Sequence, residues 1–508
     1  MQAFSAERFR ELFLYQPEAP VLFSTGFFFF LFTGFLIIYM SLRKHTLARI
    51  VYVILFSLYF YYKTSGIWFL LLIFTATSDF LIARGISRTK TRKGQKRWVA
   101  LSVCINIGML GYFKYTGFLY NLSVMCLQHL GAWLHLAAWE QLTYTTVDIF
   151  LPVGISFFTF QSLSYIIDVY RGRIQPLGRW ADYLFYISFF PGLVAGPIVR
   201  ARDFIPQMYN RSTLTREQLG EGLYLIICGL LKKCVISDYI SLNFVDRVFD
   251  APTLYTGFEN LMGVYGYALQ IYCDFSGYSD MAIGIALWLG IRFRANFDSP
   301  YQSATITEFW RRWHISLSAW LKDYLYIPLG GNRKGTFRTY VNLIITMLLG
   351  GLWHGASLRF IFWGGIHGVS LAIHKFVMKH FGGFRKEGAE MTPLRRVAGV
   401  IFTFHLVCFG WIFFRADSMQ TGIDMLTRIA TGFHPEIFLQ VLKGYSGFFI
   451  LLAAGYLTHF IPKRIDNRLQ QLVIRSPMLL QALYLIFAVF IVVQVKSAGI
   501  VPFIYFRF

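Results

Sequence analysis

The stretch VLFSTGFFFFLFTGFLIIYM, Val21 to Met40, contains no charged residue and is 20 residues long. A helix rises 1.5 Å per residue, so this run matches the roughly 30 Å hydrocarbon core of a bilayer. Before it stand Glu7, Arg8, Arg10 and Glu11 rather than the charge-then-apolar pattern of a cleavable leader, so the run is expected to stay in the chain as a span. Similar apolar runs recur near 47–62, 66–83, 98–113, 183–199, 219–236, 339–350, 357–375, 396–414, 446–460 and 479–496. The expectation is an all-α polytopic membrane protein of about 11 spans, with residues 1–508 forming one integral membrane domain.

Composition supports this reading. The chain is 56% hydrophobic and 15% charged, against about 25% charged in soluble domains. A net charge of +22 suggests nucleic acid in a soluble protein, but here the charges occupy short segments between apolar runs. They read as orientation signals, and nucleic acid is not an expected partner. The clearest segment holds Arg84, Arg88, Lys90, Arg92, Lys93, Lys96 and Arg97 with no acidic residue among them. It is placed on the cytoplasmic side, where anionic lipid also attracts it. The six cysteines are scattered without a Cys-x-x-Cys pair, so neither a disulfide framework nor a metal site is expected.

Some apolar segments are broken. Phe150-Leu151-Pro152-Val153-Gly154 opens one with Pro and Gly, and Phe190-Pro191-Gly192-Leu193-Val194-Ala195-Gly196-Pro197 interrupts another twice. Irregular backbone at membrane depth has to be buried in protein or line a wet cavity. These segments read as re-entrant or broken helices around a chamber, or as proline kinks between packed helices. Residues 291–338 are more polar, with eight Lys and Arg residues and with Trp310, Trp313, Trp320, Tyr324 and Tyr326. Short helices lying at, or dipping into, the cytoplasmic face fit that mixture.

Two histidines stand out. His354 lies in Leu348-Leu349-Gly350-Gly351-Leu352-Trp353-His354-Gly355, and a histidine in an apolar segment marks a functional site by default. Desolvation keeps such an imidazole neutral, able to take a proton from a hydroxyl attacking an acyl thioester. A hydrogen bond between helices is the structural alternative. His314 follows Glu308-Phe309-Trp310-Arg311-Arg312-Trp313. There Arg311 and Arg312 could grip donor phosphates and Trp313 could stack on a donor; an interfacial basic helix anchored by Trp is equally consistent. Leu329-Gly330-Gly331-Asn332-Arg333-Lys334-Gly335 is a basic turn without the Gly-Lys-Ser/Thr of a P-loop. Asp274 and Asp280 lie in an apolar stretch and need partners, from a histidine or from an arginine of 291–338. No Gly-x-Ser-x-Gly elbow accompanies either histidine, which disfavours a serine-hydrolase route.

The segments Glu308 to Ser318, Trp320 to Asn332, Gly351-Leu352-Trp353-His354-Gly355-Ala356 and Trp363-Gly364-Gly365-Ile366-His367-Gly368 together resemble the membrane-bound O-acyltransferases (MBOAT), and within them the alginate O-acetyltransferase branch. Leu151 to Phe160, Asp168 to Gly172, Gly192 to Pro197, Tyr272 to Asp280 and Phe503-Ile504-Tyr505-Phe506 extend the resemblance over nearly the whole chain. It implies a ring of tilted helices with re-entrant and interfacial helices around a central tunnel. It places the family's apolar-segment histidine on His354 and its second histidine on His314. Arg311, Arg312, Trp313, Arg333 and Lys334 would serve the donor, with Asp274, Asp280, Asn332 and Trp353 in support.

The implied activity is transfer of an acetyl group from a cytoplasmic thioester, acetyl-CoA or another acyl thioester, for O-acetylation of an extracytoplasmic polysaccharide. No tightly bound cofactor is implied. Membrane lipid, an extracytoplasmic transfer partner, the polysaccharide and, in a sister branch, a cytoplasmic acyl-carrier protein are the implied partners, in a bacterial cytoplasmic membrane. D-alanyl transfer toward teichoic acid and a transporter or flippase of an acylated intermediate are the alternatives. A transporter would not require His354.

Overall fold

The computed structural model describes residues 11–18, 20–144, 149–194, 196–210, 214–381, 392–495 and 503. No strand occurs among the described residues. The first apolar run forms helix α1 (Gly26–Ser41), capped by Thr25, whose hydroxyl accepts from the Phe28 backbone N–H. It is followed by α2 (Thr46–Ser65), α3 (Phe69–Arg88) and α4 (Arg92–Leu110).

Among the described residues, five helical runs are long and apolar enough to cross a membrane: Thr46–Arg88, Arg92–Leu134, Leu358–His380, Pro393–Arg415 and Met478–Val495. A sixth arises if Pro435–Gly444 and Ser446–His459, bent by 91°, count as one span. Gly66, with φ +60°, divides the first run into α2 and α3 of 20 residues each, and each is about 30 Å long. Phe30, Ile37, Leu55, Phe402, Leu457 and Phe487 are exposed on these apolar helices, as lipid-facing side chains are. The protein is a multi-pass membrane protein. The length-and-hydropathy count is lower than the expected 11 because several other helices are shorter than 18 residues or carry buried polar groups.

Two of the interior helices were not expected as spans. They are α5 (Ile155–Tyr170) and the 32-residue α7 (Gly257–Trp288), which is almost wholly buried. A capping box starts α7: Thr256 Oγ1 accepts from the Glu259 N–H at 3.3 Å, and Glu259 Oε2 accepts from the Thr256 N–H at 2.9 Å. Between α5 and α7, α6 (Arg216–Leu230) lies so close to α7 that a Cβ on Gly229 would fall 2.5 Å from the Gly277 carbonyl oxygen. Close backbone approach through small residues is how membrane helices gain contact where lipid removes the hydrophobic incentive.

The polar segment 291–338 contains two short helices, α8 (Ile306–Arg312) and α9 (Ile315–Leu321). They dip into the protein, since Trp310, Trp313, His314 and Trp320 are all buried. Behind them α10 (Thr336–His354) and α11 (Leu358–His380) form a tight helical pair.

The broken segments obey the rule for irregular backbone. Ser65 Oγ accepts from the Val153 N–H, and Tyr61 donates its hydroxyl to the Val153 carbonyl at 2.7 Å. Ser57 Oγ accepts from the Phe190 N–H, and Ser316 Oγ accepts from the Ile198 N–H at 3.0 Å. Ala195 and residues 504–508 lie outside the described residues; Phe503 is buried against Phe275 and Tyr278.

Candidate functional site

His354 is the last residue of α10 and is 3% exposed. Its ring lies among Trp353, Trp363 and Phe414, with centroids 5.0, 5.1 and 5.3 Å away. The end of α10 has carbonyls without helical donors, as every helix does. A π-helical turn, Gly111–Tyr115, supplies them: Lys114 Nζ donates to the carbonyls of Trp353 at 3.0 Å and His354 at 2.8 Å, and Tyr115 donates to that of Leu352 at 2.7 Å. π-turns inside helices recur at functional sites. The glycines beside His354 permit its placement. A Cβ on Gly351 would fall 2.1 Å from the Phe360 carbonyl oxygen, and one on Gly364 2.3 Å from that of Met347.

His314 links α8 to α9 and is wholly buried. Its backbone is left-handed, φ +42°, a conformation uncommon for any residue but glycine. A clasp of main-chain bonds holds it: the Ile315 N–H donates to the Asn296 carbonyl and the Asp298 N–H to the Arg312 carbonyl, both at 2.9 Å. The imidazole Nδ1 is 3.2 Å from Asn296 Oδ1, and Nε2 is buried without a hydrogen-bond partner among the described residues. Phe275 stands edge-on at 4.6 Å. The Trp353 ring is 6.2 Å away, so this tryptophan stands between the surroundings of the two histidines. His367 lies nearby, 4.7 Å from Trp363, and accepts from Trp310 Nε1 through Nδ1 at 3.3 Å.

A cavity of ≈ 80 Å³ borders this cluster at Trp353. Lys114, Trp353, Val194 and residues 151–157 line it, so the broken Leu151–Gly154 segment does face a chamber. Phe160 ties Trp353 to the short helices, its ring 5.3 Å from Trp353 and stacked on Trp320 at 3.7 Å. Trp320 Nε1 donates to the Phe160 carbonyl at 2.8 Å.

The other expected residues fall in several places. Arg311, Asn332, Arg333 and Lys334 are exposed. Arg312 is half-buried and paired with Glu308 at 2.8 Å. Trp313 is a correction: it is 2% exposed, stacked on Phe309 at 5.6 Å and edge-on to Phe297 at 5.1 Å, so its faces are taken by the protein's own rings. Asp274 and Asp280 are a second correction. Their ion pairs are with lysines of the π-turn after α6, Asp274 with Lys233 at 2.6 Å and Asp280 with Lys232 at 2.7 Å, rather than the expected histidine or arginine of 291–338. Lys233 also reaches Asp238 at 2.7 Å, so these pairs brace the α6–α7 contact. Lys114 and Asn296 were not anticipated. The placement of Lys114 between an aromatic pair, Phe113 and Tyr115, in an apolar run was the available signal.

Comparison with known proteins agrees with this architecture. The model of the membrane-bound O-acyltransferase family matches residues 111–416, a range that holds both histidines. The chain is 44% identical over 341 residues to a probable alginate O-acetylase of Pseudomonas aeruginosa, covering 67% of this chain and 61% of that protein. It thus spans less than two thirds of that relative's length. It is 35% identical over 437 residues to a peptidoglycan O-acetyltransferase of Helicobacter pylori, covering 80% of this chain and 79% of the relative. A teichoic acid D-alanyltransferase of Bacillus subtilis is 30% identical over 281 residues, 52% of this chain and 68% of the relative. The chain belongs to the membrane-bound O-acyltransferase family.

Proposed function

We propose that this protein transfers an acetyl group from a cytoplasmic acyl thioester, acetyl-CoA being the first candidate, for O-acetylation of a polysaccharide on the other side of a bacterial cytoplasmic membrane. The observation that carries the reading is the pair of buried histidines, His314 and His354, around Trp353, with a cavity at the same tryptophan. An alginate O-acetylase and a peptidoglycan O-acetyltransferase among its relatives support acetyl as the group and polysaccharide as the final acceptor. An extracytoplasmic partner protein would complete delivery.

The chemistry needs no metal or tightly bound cofactor. A neutral imidazole takes the proton of the acceptor hydroxyl as that oxygen bonds to the acetyl carbonyl carbon. The carbon–sulfur bond breaks, and the proton leaves with the sulfur as free thiol. His354 is proposed as this base and His314 as the second imidazole facing the reacting groups. Exposed Arg311, Arg333 and Lys334 would hold the donor's phosphates at the basic face.

The test is turnover of acetyl-CoA labelled on its acetyl group, by protein in liposomes. Wild type should release or transfer label, and His354→Ala and His314→Ala should each lower the rate at least about 100-fold, the usual scale of a lost general base. Equal turnover in wild type and His354→Ala would refute the mechanism. Turnover only with a loaded carrier protein would mark D-alanyl transfer instead.

A further inference from the structure

We propose that Asn296 is a positioning residue for the reaction: it fixes the tautomer of His314 so that Nε2 presents a lone pair to the reacting groups. The inference rests on the acyltransfer reading above for its catalytic consequence, but the tautomer assignment stands on geometry alone.

The identity of the Asn296 side-chain atom facing His314 follows from its other neighbours. That atom accepts from the Ser316 backbone N–H at 3.1 Å and from the Ser316 hydroxyl at 2.9 Å. A backbone N–H can only donate, so the atom is the carbonyl oxygen Oδ1, and the amide nitrogen points to Ser279 Oγ at 3.4 Å. His314 Nδ1, 3.2 Å from the same oxygen, therefore meets an acceptor and must carry the proton. The other group near Nδ1 agrees. Ser316 Oγ is 3.5 Å away, but its single hydrogen is directed at Asn296 Oδ1 while its lone pair receives the Ile198 N–H. It has no hydrogen to offer Nδ1. With Nδ1 protonated, the neutral ring leaves Nε2 as its only basic site, and Nε2 is the atom that is buried with no hydrogen-bond partner among the described residues.

The arrangement is built at some cost. His314 sits in the left-handed region, φ +42°, where a non-glycine residue is strained. Asn296 is 1% exposed and holds both the side chain of His314 and, through its carbonyl, the next backbone N–H. A residue whose only purpose was packing would not need its amide oxygen shared among three donors around one imidazole. The logic is that of the orienting group in a nucleophile–base–orienter triad, where a wrong tautomer alone disables an otherwise intact site.

The experiment uses the full chain in lipid bilayers with 15N-labelled histidine rings, the His314 signals being assigned by their loss in His314→Gln. Wild type should show Nδ1 protonated and Nε2 bare. Asn296→Ala, which removes the acceptor, should show a mixture or the reverse tautomer, and its kcat for acetyl-CoA turnover should fall about 10- to 100-fold with KM changed less than about twofold. Asn296→Asp keeps an acceptor in place, so it should retain the Nδ1–H tautomer and most of kcat. It is also the control for folding, since it keeps a side-chain acceptor for the Ser316 N–H and hydroxyl. Nε2 protonated in wild type, or an unchanged tautomer in Asn296→Ala, would overturn the proposal. So would an equal loss of kcat in both variants with the Asp tautomer intact. The ring signals need no turnover, so an inactive wild type would count against the acyltransfer reading without deciding this one.

Discussion

Burial and backbone strain meet at His314. The imidazole is wholly enclosed, and its backbone is left-handed. A fold keeps such a residue only where surrounding bonds determine it, and here Asn296 supplies two of them. His354 differs. It ends a regular helix, and its position is set by Lys114, which binds its carbonyl rather than its ring. Both histidines were legible in the sequence because imidazoles between apolar and aromatic neighbours stand out. Asn296 was not, and the setting of Lys114 in an apolar run marks it without naming its partner: nothing nearby says that they meet His314, 18 positions away, or His354, 240 positions away. The exposed basic residues are the part of the donor proposal that this scale can test. Replacing Arg311, Arg333 and Lys334 together by glutamine should weaken acetyl-CoA binding at least about tenfold at low salt, with the difference shrinking as salt screens the charges. Binding titrations at two ionic strengths would show it, and unchanged affinity at low salt would remove these residues from the donor site.

At the scale of elements, the α10–α11 pair determines where His354 can be. Gly351 and Gly364 let the two backbones meet, with the Phe360 and Met347 carbonyls filling the space a side chain would need. Gly351→Ala should therefore destabilise the protein by about 1–3 kcal/mol, since backbone cannot yield as a flexible side chain would. Gly365→Ala meets only Leu348 Cδ2 at 3.6 Å and should cost little. Thermal unfolding of both variants in detergent separates them, and equal melting temperatures would contradict the packing account. The same scale explains what the sequence hid. Runs such as 21–41, 47–62 and 66–83 became α1, α2 and α3 because apolar residues dominate them, although α2 buries Arg49 and Lys63 and α3 buries Asp79. The interior helices α5 and α7 escaped detection because Gln161, Asp168, Gln270, Asp274, Ser276 and Ser279 interrupt their hydropathy. Those residues are tolerated because the protein, not lipid, surrounds them. Asp274 has Lys233, Asp168 has Tyr324 at 2.8 Å, and Gln161 donates to the Tyr186 carbonyl at 2.9 Å. Asp323, in the π-turn after α9, likewise pairs with Arg200.

For the molecule as a whole, two helices leave basic segments and converge on the site. Helix α4 starts at Arg92, next to Arg88 and Lys90, and its continuation reaches Lys114; α10 starts at Thr336, next to Arg333 and Lys334, and ends at His354. Along α10 that is about 27 Å at 1.5 Å per residue, most of the roughly 30 Å of a bilayer core. Lys114 joins the two ends. Both helices begin in basic segments, which the proposed topology puts at the cytoplasmic face, and end beside the cavity lined by Lys114 and Trp353. This geometry suits a donor whose charged nucleotide stays at the basic face while its acyl end reaches deep into the protein. The most direct measurement is a sided one. Protein would be reconstituted into liposomes with the polysaccharide acceptor and any partner protein sealed in the lumen and labelled acetyl-CoA supplied outside. Orientation would be scored by protease access to the basic segment at 84–97. Label should reach the luminal acceptor only in vesicles whose basic face points outward, and only with His354 present. Label transferred equally from either face, or transferred undiminished by His354→Ala, would contradict passage of the acetyl group through this site.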